Sequence, residues 1–256
     1  MEKGYVLITG ADSGIGREFA KLFSAEGYRI ILTARNREKL EKVSSALSTE
    51  NRIIALDLSD ATNCYRLLEE TADLPIDIFV NNAGFGDFGL IDETDTAKAL
   101  TMIDVNCKAT LILVKEFIKR FKRTDRGQIL TVASSAAFAP APYMAEYYAT
   151  KAFVLRLMLG YRQELLDEKS HVRISVLCPG PVKTNFENVA NVKFTIKSLS
   201  AETVAAYAIK KMKHGKTVIV PGTMMKIAHV FSKVSNEKIA AKVLDKVAKN
   251  PDHVKK

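Results

Sequence analysis

The sequence predicts an α/β fold in which a doubly wound parallel sheet of about seven strands carries helices on both faces. Short apolar, β-rich runs alternate with longer helical patterns, and the strand runs are apolar throughout, as expected for strands covered on both faces. Ligands of such sheets bind at the carboxyl ends of the strands. The predicted strands are 5–9, 29–34, 52–56, 77–80, 128–133, 173–177 and 217–220, and helical patterns cover 14–26, 36–48, 60–72, 96–122 and 144–169.

The composition is that of one soluble globular domain, with 256 residues of which 47% are hydrophobic and 26% charged. The N-terminal residues show no secretory-signal pattern, and no apolar run approaches the roughly 18 residues of a membrane-spanning helix. Cys64, Cys107 and Cys178 are isolated, which suits a reducing cytoplasm, and the four histidines show no ligand spacing. We therefore expect a cytoplasmic protein without a metal site or stable membrane insertion.

The formal charge of +9 is confined to the C-terminal segment. Residues 210–256 contain twelve lysines, no arginine and three acidic residues, whereas the charges of the remaining chain balance. A neutral body with a basic tail lacks the arginine and aromatic stripe of a nucleic-acid-binding protein. The tail also predicts an amphipathic helix, for which packing on the body or on a partner subunit is favoured over attachment to an anionic membrane. Its apolar face comprises Ile239, Ala240, Val243, Leu244 and Val247, and its basic face comprises Lys238, Lys242, Lys246 and Lys249.

The first strand leads into "TGADSGIG", a glycine-rich junction between strand and helix. Residues without a Cβ allow a tight turn and let backbone N–H groups approach a pyrophosphate at the helix N-terminus, although an ordinary turn would also use glycine. The spacing G-x-x-x-G-x-G differs from the common G-x-G-x-x-G. We expect dinucleotide contacts from Gly10, Asp12, Ser13, Gly14, Ile15 and Gly16.

The ends of the second and third strands bear on the choice of cofactor. In place of the acid that binds the ribose 2′-hydroxyl of NAD, the second strand is followed by Arg35 and Asn36. A guanidinium paired with a 2′-phosphate would favour NADP over NAD by about ten- to a hundredfold, while a solvated charge at a helix start is the alternative. Asp57 and Leu58 could flank the adenine, or Asp57 could cap the next helix.

The fourth strand ends in "NNAG", where Asn82, Ala83 and Gly84 suit either a backbone that passes close to a cofactor or a polar turn. Together, "TGADSGIG", "NNAG" and "YYATK" in this order resemble the short-chain dehydrogenase/reductase family over roughly residues 4–222. The body and the later "VIVPGTMMKI" are similar to a DltE-type bacterial subgroup. The resemblance implies a Rossmann-type fold, a nicotinamide cofactor, and a homodimer or homotetramer.

The stretch "EYYATK" holds two candidate phenols. Helix geometry allows either Tyr147 or Tyr148, four and three residues before Lys151, to lie near the ammonium. The family resemblance selects Tyr147 through its Tyr-x-x-x-Lys pattern, and the family serine, thirteen residues earlier, is then Ser134 rather than Ser135. On this resemblance Tyr147 is the acid in reduction and the base in oxidation, and it contacts the cofactor together with Lys151. The ammonium and a cationic nicotinamide are expected to lower the pKa of the phenol from about 10 by up to about 3.

The remaining site residues follow from the same resemblance. Asn106 resembles the family asparagine that distorts its helix and holds a water between lysine and solvent, with a surface role as the alternative. Pro179, Gly180, Val182 and Thr184 resemble the segment that meets the nicotinamide, and residues 183–200 would then form a substrate lid. Aromatic and apolar residues near the strand ends predict an apolar pocket, unless they belong to the core or to an interface. They are Phe85, Phe88, Phe138, Tyr143, Phe186, Val189 and Phe194.

These features predict an enzyme whose domain spans residues 1–222 and whose basic helical extension spans 223–256. It would be an NADP-preferring oxidoreductase, with NAD(H) also usable, that transfers a hydride between nicotinamide and a carbonyl or alcohol substrate of apolar character. A serine-like amino alcohol or a hydroxy acid is the alternative substrate. Two other classes remain: a non-catalytic dinucleotide-binding regulator, which would not need all four catalytic residues, and a membrane-surface adaptor built on the basic tail.

Overall fold

The computed structural model describes residues 3–192 and 198–232, together with the single residues 236, 241 and 244. Its centre is a seven-stranded parallel sheet, which confirms the predicted fold class and all seven predicted strands. Two further short strands form a separate parallel pair. In chain order the strands are β1 (Tyr5–Thr9), β2 (Arg29–Ala34), β3 (Asn51–Ala55), β4 (Ile76–Asn81), β5 (Gln128–Val132), β6 (Arg173–Leu177), β7 (Val182–Lys183), β8 (Leu199–Ser200) and β9 (Val218–Ile219).

The strand order creates a crevice in the middle of the sheet. The order is β3-β2-β1-β4-β5-β6-β9, so the chain builds outward from β1 on one side and then returns to add β4 on the other. At this reversal the connections after β1 and β4 leave in opposite directions, which opens space above the carboxyl ends of the two strands. β1 is buried along its whole length and anchors this centre.

Helices cover both faces of the sheet. On one face, Phe79 of β4 stacks on Phe117 with a ring-centroid distance of 4.2 Å. On the other face, Phe19 and Phe23 pack with the apolar side of another helix. The helices are α1 (Gly14–Ala25), α2 (Arg37–Ser44), α3 (Ala61–Glu70), α4 (Thr96–Ile103), α5 (Thr110–Thr124), α6 (Ala145–Asp167), α7 (Phe186–Val189), α8 (Ala201–Lys213) and α9 (Thr223–Ser232).

Helix starts follow ordinary capping chemistry. Asn36 caps α2 by accepting from Lys39 N at 2.9 Å, and Asp60 caps α3 by accepting from Thr62 N at 2.8 Å. The cap of α3 is therefore Asp60 and not Asp57, whose carboxylate instead accepts from the backbone and hydroxyl of Ser59 at 3.0 and 2.8 Å. The alternative capping role of Asp57 is wrong because that residue lies one turn too early in the chain.

The predicted helix 96–122 is interrupted. α4 and α5 are joined by a π-helical segment, Asp104–Ala109, which contains Asn106. Its wider i→i+5 turn interrupts the regular α-helical spacing beside the crevice. α8, capped by Ser200, is an addition to the helical patterns identified in the sequence.

α9 lies at the end of the continuously described chain, with Met225 partly buried against the core beneath it. Within the described ranges, no helix combines the length and apolar character that a membrane crossing needs. Phe194 of the predicted lid lies outside the described residues, as do Ile239, Ala240, Val243 and Val247 of the predicted tail helix.

Candidate active site

The glycine-rich turn between β1 and α1 can be built only from glycine at its key positions. Gly10 and Gly14 have φ values of +63° and +51°, where a Cβ is unfavourable. A Cβ on Gly16 would lie 2.1 Å from the carbonyl oxygen of Gly10. Ser13 precedes α1, but its hydroxyl makes no capping bond to the helix. The first N–H groups of α1 therefore point into a close-packed turn without a side-chain cap, which is the arrangement that binds a phosphate.

Thr9 holds the ends of β1 and β4 together. Its hydroxyl oxygen accepts from the backbone N–H groups of Asn82 and Ala83 at 2.8 and 2.9 Å. The Asn82 amide in turn donates to the carbonyls of Thr9 and Gly10 at 2.9 and 3.1 Å. The predicted residues of "NNAG" are thus fixed against the glycine-rich turn. Thr9 was not singled out in the sequence, although a hydroxyl at the end of an otherwise apolar buried strand is a usable signal.

The residues expected near the adenosine end lie along the edge of the same crevice. Arg35 follows β2 and is exposed, and within the described residues no acidic side chain pairs with it. Asn36 uses its side-chain oxygen to cap α2, so that this oxygen is already engaged. Leu58 is buried, while Asp57 is partly exposed and folded into its own turn with Ser59. Arg35 is therefore the group best placed to meet an added anion.

Ser134, Tyr147 and Lys151 converge at the carboxyl end of β5. Tyr147 and Lys151 lie one turn apart on α6, with the ammonium 5.8 Å from the centre of the phenol ring. The ammonium donates to the carbonyl oxygen of Val132 at 3.1 Å, which ties α6 to the end of β5. The Ser134 hydroxyl accepts from Ala136 N at 3.1 Å and is close enough to the phenol to act on it through a hydrogen bond.

Burial shifts the pKa values of both Tyr147 and Lys151. The pKa of Tyr147 lies well above its ordinary value because the phenol is removed from water, and the hydrogen bond with Ser134 opposes this rise only in part. The pKa of Lys151 falls to about 8, also through burial. In the protein alone, desolvation outweighs the hydrogen bond from Ser134, so the pKa of the phenol is raised. The lowering expected with a cationic nicotinamide beside the phenol stays a prediction.

Asn106 connects the π-helical segment to the site. It is only 1% exposed, its amide donates to the Phe85 carbonyl at 2.9 Å and the Thr150 hydroxyl at 3.0 Å, and its oxygen accepts from Phe85 N at 3.1 Å. A Cβ on Gly84 would meet the Asn106 oxygen at 2.8 Å and the Lys151 ammonium at 3.2 Å. The alternative of a surface asparagine is thus wrong, and Gly84 lies directly beside the lysine.

The segment after β6 covers the glycine-rich turn. The carbonyl of Pro179 accepts from Ser135 N at 2.8 Å, which joins this segment to the end of β5. Val182 is buried, and Thr184 lies against Gly14, where an added Cβ would meet the threonine methyl at 3.0 Å. Gly180 is closely approached by Met225 of α9. These contacts place the segment between the end of β5 and the glycine-rich turn. Its contact with a bound dinucleotide stays a prediction.

An apolar cluster surrounds Tyr147. Phe85, Phe88, Tyr143 and Phe186 belong to it, and the Phe186 ring centroid lies 5.3 Å from that of Tyr147. Phe138 packs in a different cluster and Val189 is 42% exposed, so neither joins this group. The cluster also includes residues that the sequence did not indicate, because their apolar side chains have no distinctive pattern. These are Met102, Ala136, Met144, Ala190 and Val192.

A lysine on α4 contacts both Asp87 and the predicted lid segment. Lys98 of α4 donates to Asp87 at 2.7 Å and to the carbonyl of Val189 at 3.4 Å. Gly86, just before Asp87, leaves room for Phe186 and Tyr147, since a Cβ there would lie 2.8 and 3.0 Å from their rings. None of these contacts has a signal in the sequence that separates it from ordinary surface charge or turn glycine.

Comparison with known proteins agrees with this geometry. Residues 4–193 match the family model described as short chain dehydrogenase. The chain is 30% identical over 213 residues to an uncharacterized oxidoreductase of Staphylococcus epidermidis, covering 81% of this chain and 91% of the relative. It is 31% identical to the 3-oxoacyl-acyl-carrier-protein reductase FabG of Rickettsia prowazekii, covering 73% and 76% of the two chains. A short-chain dehydrogenase from Sphingobium yanoikuyae solved with NADPH superposes with a TM-score of 0.80, at 25% identity over 86% and 88% of the chains.

Fold and site together define a nicotinamide-dinucleotide-dependent oxidoreductase. The chain belongs to the short-chain dehydrogenase/reductase family and is an NAD(P)-dependent dehydrogenase or reductase. The similarity to a DltE-type subgroup stays a prediction.

Proposed function

We propose that this protein is an NADP-preferring carbonyl/alcohol oxidoreductase in which Tyr147 is the general acid and base. The observation that carries the proposal is the convergence of Ser134, Tyr147 and Lys151 beside the glycine-rich turn. A regulator that only bound a dinucleotide would need the turn but not a buried phenol, hydroxyl and ammonium at one strand end.

The residues around the crevice fit a dinucleotide. The fit rests on the glycine cradle, where a Cβ on Gly16 would strike the Gly10 carbonyl, and on the start of α1, which lacks a side-chain cap. When bound, the cofactor supplies or accepts the hydride. The chain would hold it through the predicted contacts of the turn, the "NNAG" segment and the Pro-Gly segment. Those contacts are Gly10, Asp12, Ser13, Gly14, Ile15, Gly16, Arg35, Asn36, Asp57, Leu58, Asn82, Ala83, Gly84, Tyr147, Lys151, Pro179, Gly180, Val182 and Thr184.

The protein groups favour proton donation. Because burial raises the pKa of Tyr147, its phenol carries a proton at neutral pH and can give it to a substrate oxygen that becomes an alkoxide. Ser134 would donate a hydrogen bond to the same oxygen and hold the carbonyl in place. The Lys151 ammonium would stabilise the phenolate left on Tyr147, and Asn106 would position Lys151 through the Gly84–Phe85 backbone.

The substrate that fits best has apolar character. Four aromatic side chains pack in the same cluster as the phenol: Phe85, Phe88, Tyr143 and Phe186. A substrate would therefore reach the proton donor along an aromatic surface. Similarity to a 3-oxoacyl-acyl-carrier-protein reductase supports a carbonyl whose substituent is aliphatic.

The test of the acid/base assignment compares two adjacent tyrosines. Tyr147→Phe should lower kcat for ketone reduction by at least about a thousandfold, since general acid catalysis is lost while the cofactor site is kept. Tyr148→Phe, on the same helix beside it, should change kcat by less than about tenfold. Both variants should bind NADPH with unchanged Kd in a fluorescence titration. The reverse order of the two effects would transfer the role to Tyr148.

The NADP preference depends on Arg35. Its guanidinium is exposed at the end of β2 without an acidic partner among the described residues, so it is available for a 2′-phosphate. Arg35→Ala should weaken NADPH binding by about ten- to a hundredfold and leave NADH binding nearly unchanged in calorimetry. Arg66→Ala, which removes an exposed arginine of α3 paired with Glu70, is the matched control. An unchanged ratio of the two affinities in Arg35→Ala would contradict the phosphate assignment.

The proposal also includes a homo-oligomeric assembly and a cytoplasmic location. Leu100, Ile103 and Leu111 of α4 and α5 expose 58%, 42% and 37% of their surface, which supports a homodimer or homotetramer through this side of the molecule. The described cysteines are free, in keeping with a cytoplasmic location.

A further inference from the structure

α9 has two faces with different surroundings. Met225 and His229 lie four residues apart and face the body: Met225 approaches Gly180, and the His229 ring lies 4.1 Å from that of Phe138. α9 therefore borders both the Pro-Gly segment and the turn that follows Ser134. Its position beside the candidate active site is fixed by this inner face.

The outer face of α9 is apolar and exposed. Met224, Ile227 and Phe231 follow the i, i+3, i+7 spacing of one helical stripe, and Val230 lies beside them. Their exposed fractions are 61%, 65%, 57% and 65%, respectively. Four large apolar side chains side by side on a ten-residue helix form a patch of the kind that marks an interaction site.

Lysine side chains lie on α9 itself and on the neighbouring α8. Lys226 of α9 and Lys211 of α8 both lie over the ring of Tyr207, at 5.4 and 5.6 Å from its centroid, and Lys210 is exposed nearby in the chain. The segment 210–256 holds twelve lysines against three acidic residues. An apolar stripe in a strongly basic segment complements a surface that carries anionic groups above an apolar layer.

We propose that the outer face of α9 binds reversibly to the surface of an anionic phospholipid bilayer. Aliphatic and aromatic groups of this size suit the boundary between headgroups and acyl chains, and the lysines would contact lipid phosphates. A second copy of the chain is a poorer partner, because it would bring two strongly basic segments together. The apolar groups of α9 are also larger than those of the predicted tail helix, which alone favoured packing on protein. The proposal stands independently of the assigned chemistry.

The test is sedimentation of the full-length protein with vesicles of phosphatidylcholine alone or mixed with an equal part of phosphatidylglycerol. We expect binding to the mixed vesicles only, with an affinity that falls as salt is added. Ile227→Ser combined with Phe231→Ser should weaken this binding by at least about tenfold. The matched control is Ile91→Ser, which removes an 89% exposed isoleucine in the loop before α4 and should bind as the parent does.

Three outcomes would overturn the proposal: no binding to mixed vesicles at low salt, equal binding to both kinds of vesicle, or equal binding by the double variant and the parent. Light scattering after size-exclusion chromatography tests the alternative partner, a second copy of the chain. If the double variant lowers the oligomer mass while vesicle binding is unchanged, a second copy occupies the face. Unfolding in urea, followed by circular dichroism, verifies that all variants are folded.

Discussion

Lys151 is a cation held where its charge is disfavoured. It is 5% exposed, and its ammonium has the Val132 carbonyl as a direct hydrogen-bond acceptor. Burial lowers its pKa to about 8, while the neighbouring tyrosine keeps its proton to higher pH. The two residues therefore lose their protons in the order lysine first, phenol second.

This order predicts the pH dependence of reduction. Below about pH 8 Lys151 is charged and can stabilise the phenolate that Tyr147 becomes; as pH rises through about 8 that charge is lost. We expect kcat/KM for ketone reduction to be flat on the acid side and to fall by roughly tenfold per pH unit on the basic side. Measurement at saturating NADPH across this range gives the profile.

The control for this prediction is Lys151→Arg. A guanidinium stays protonated throughout the same range, so the variant should be slower overall but should lose the decline above about pH 8. A decline that persists in this variant would assign the titration to another group.

At the scale of elements, the π-helical segment is the decisive local feature. Its wider turn places the Asn106 amide where it can bond both backbone groups of Phe85 and the hydroxyl of Thr150. A regular α-helix through 96–124 would rotate this side chain away, because its hydrogen bonds span four residues rather than five and every later position is shifted around the axis. The segment thus fixes the backbone next to Lys151.

Removal of the Asn106 amide should be costly. Asn106→Ala leaves the Phe85 N–H and carbonyl without their partner, so we expect the free energy of unfolding to fall by about 1 to 3 kcal/mol. Asn188→Ala deletes an exposed amide whose partner among the described residues is Asn185, and it should change this free energy by less than about 0.5 kcal/mol. Urea unfolding followed by circular dichroism measures both. Equal effects would show that the Asn106 bonds contribute little to stability.

Regular elements could be predicted from the sequence, and irregular ones could not. The seven central strands are apolar runs bounded by polar residues, a pattern dictated by burial on both faces. The π-helical segment and the β7–β8 pair depend instead on contacts between distant residues. Asn106 interacts with Phe85 and Thr150, and no local propensity encodes that choice.

At the scale of the whole molecule, topology explains why much of the site was accessible from sequence. Strand ends are recognisable as the points where apolar runs stop, and parallel pairing brings these ends to one edge. Ser134, "NNAG" and the glycine-rich turn could therefore be placed together in advance. Selecting Tyr147 over Tyr148 required the family resemblance, since helix spacing allows both.

Packing decided what the sequence could not indicate. The direction of the Tyr147 pKa depends on how completely the phenol is buried, which is a property of the assembled apolar cluster. The place of α9 beside the site depends on where Met225 and His229 dock, although both residues look ordinary in the sequence.

The contacts of Thr184 and Phe186 have a consequence for the order of events in turnover. Thr184 rests on Gly14 of the dinucleotide turn, and two residues later Phe186 lies on Tyr147. One short segment thus contacts both the glycine-rich turn and Tyr147. We predict that this segment lifts for the cofactor to enter and settles on a substrate only afterwards. We therefore expect a compulsory sequence of steady-state binding, with the dinucleotide first on and last off.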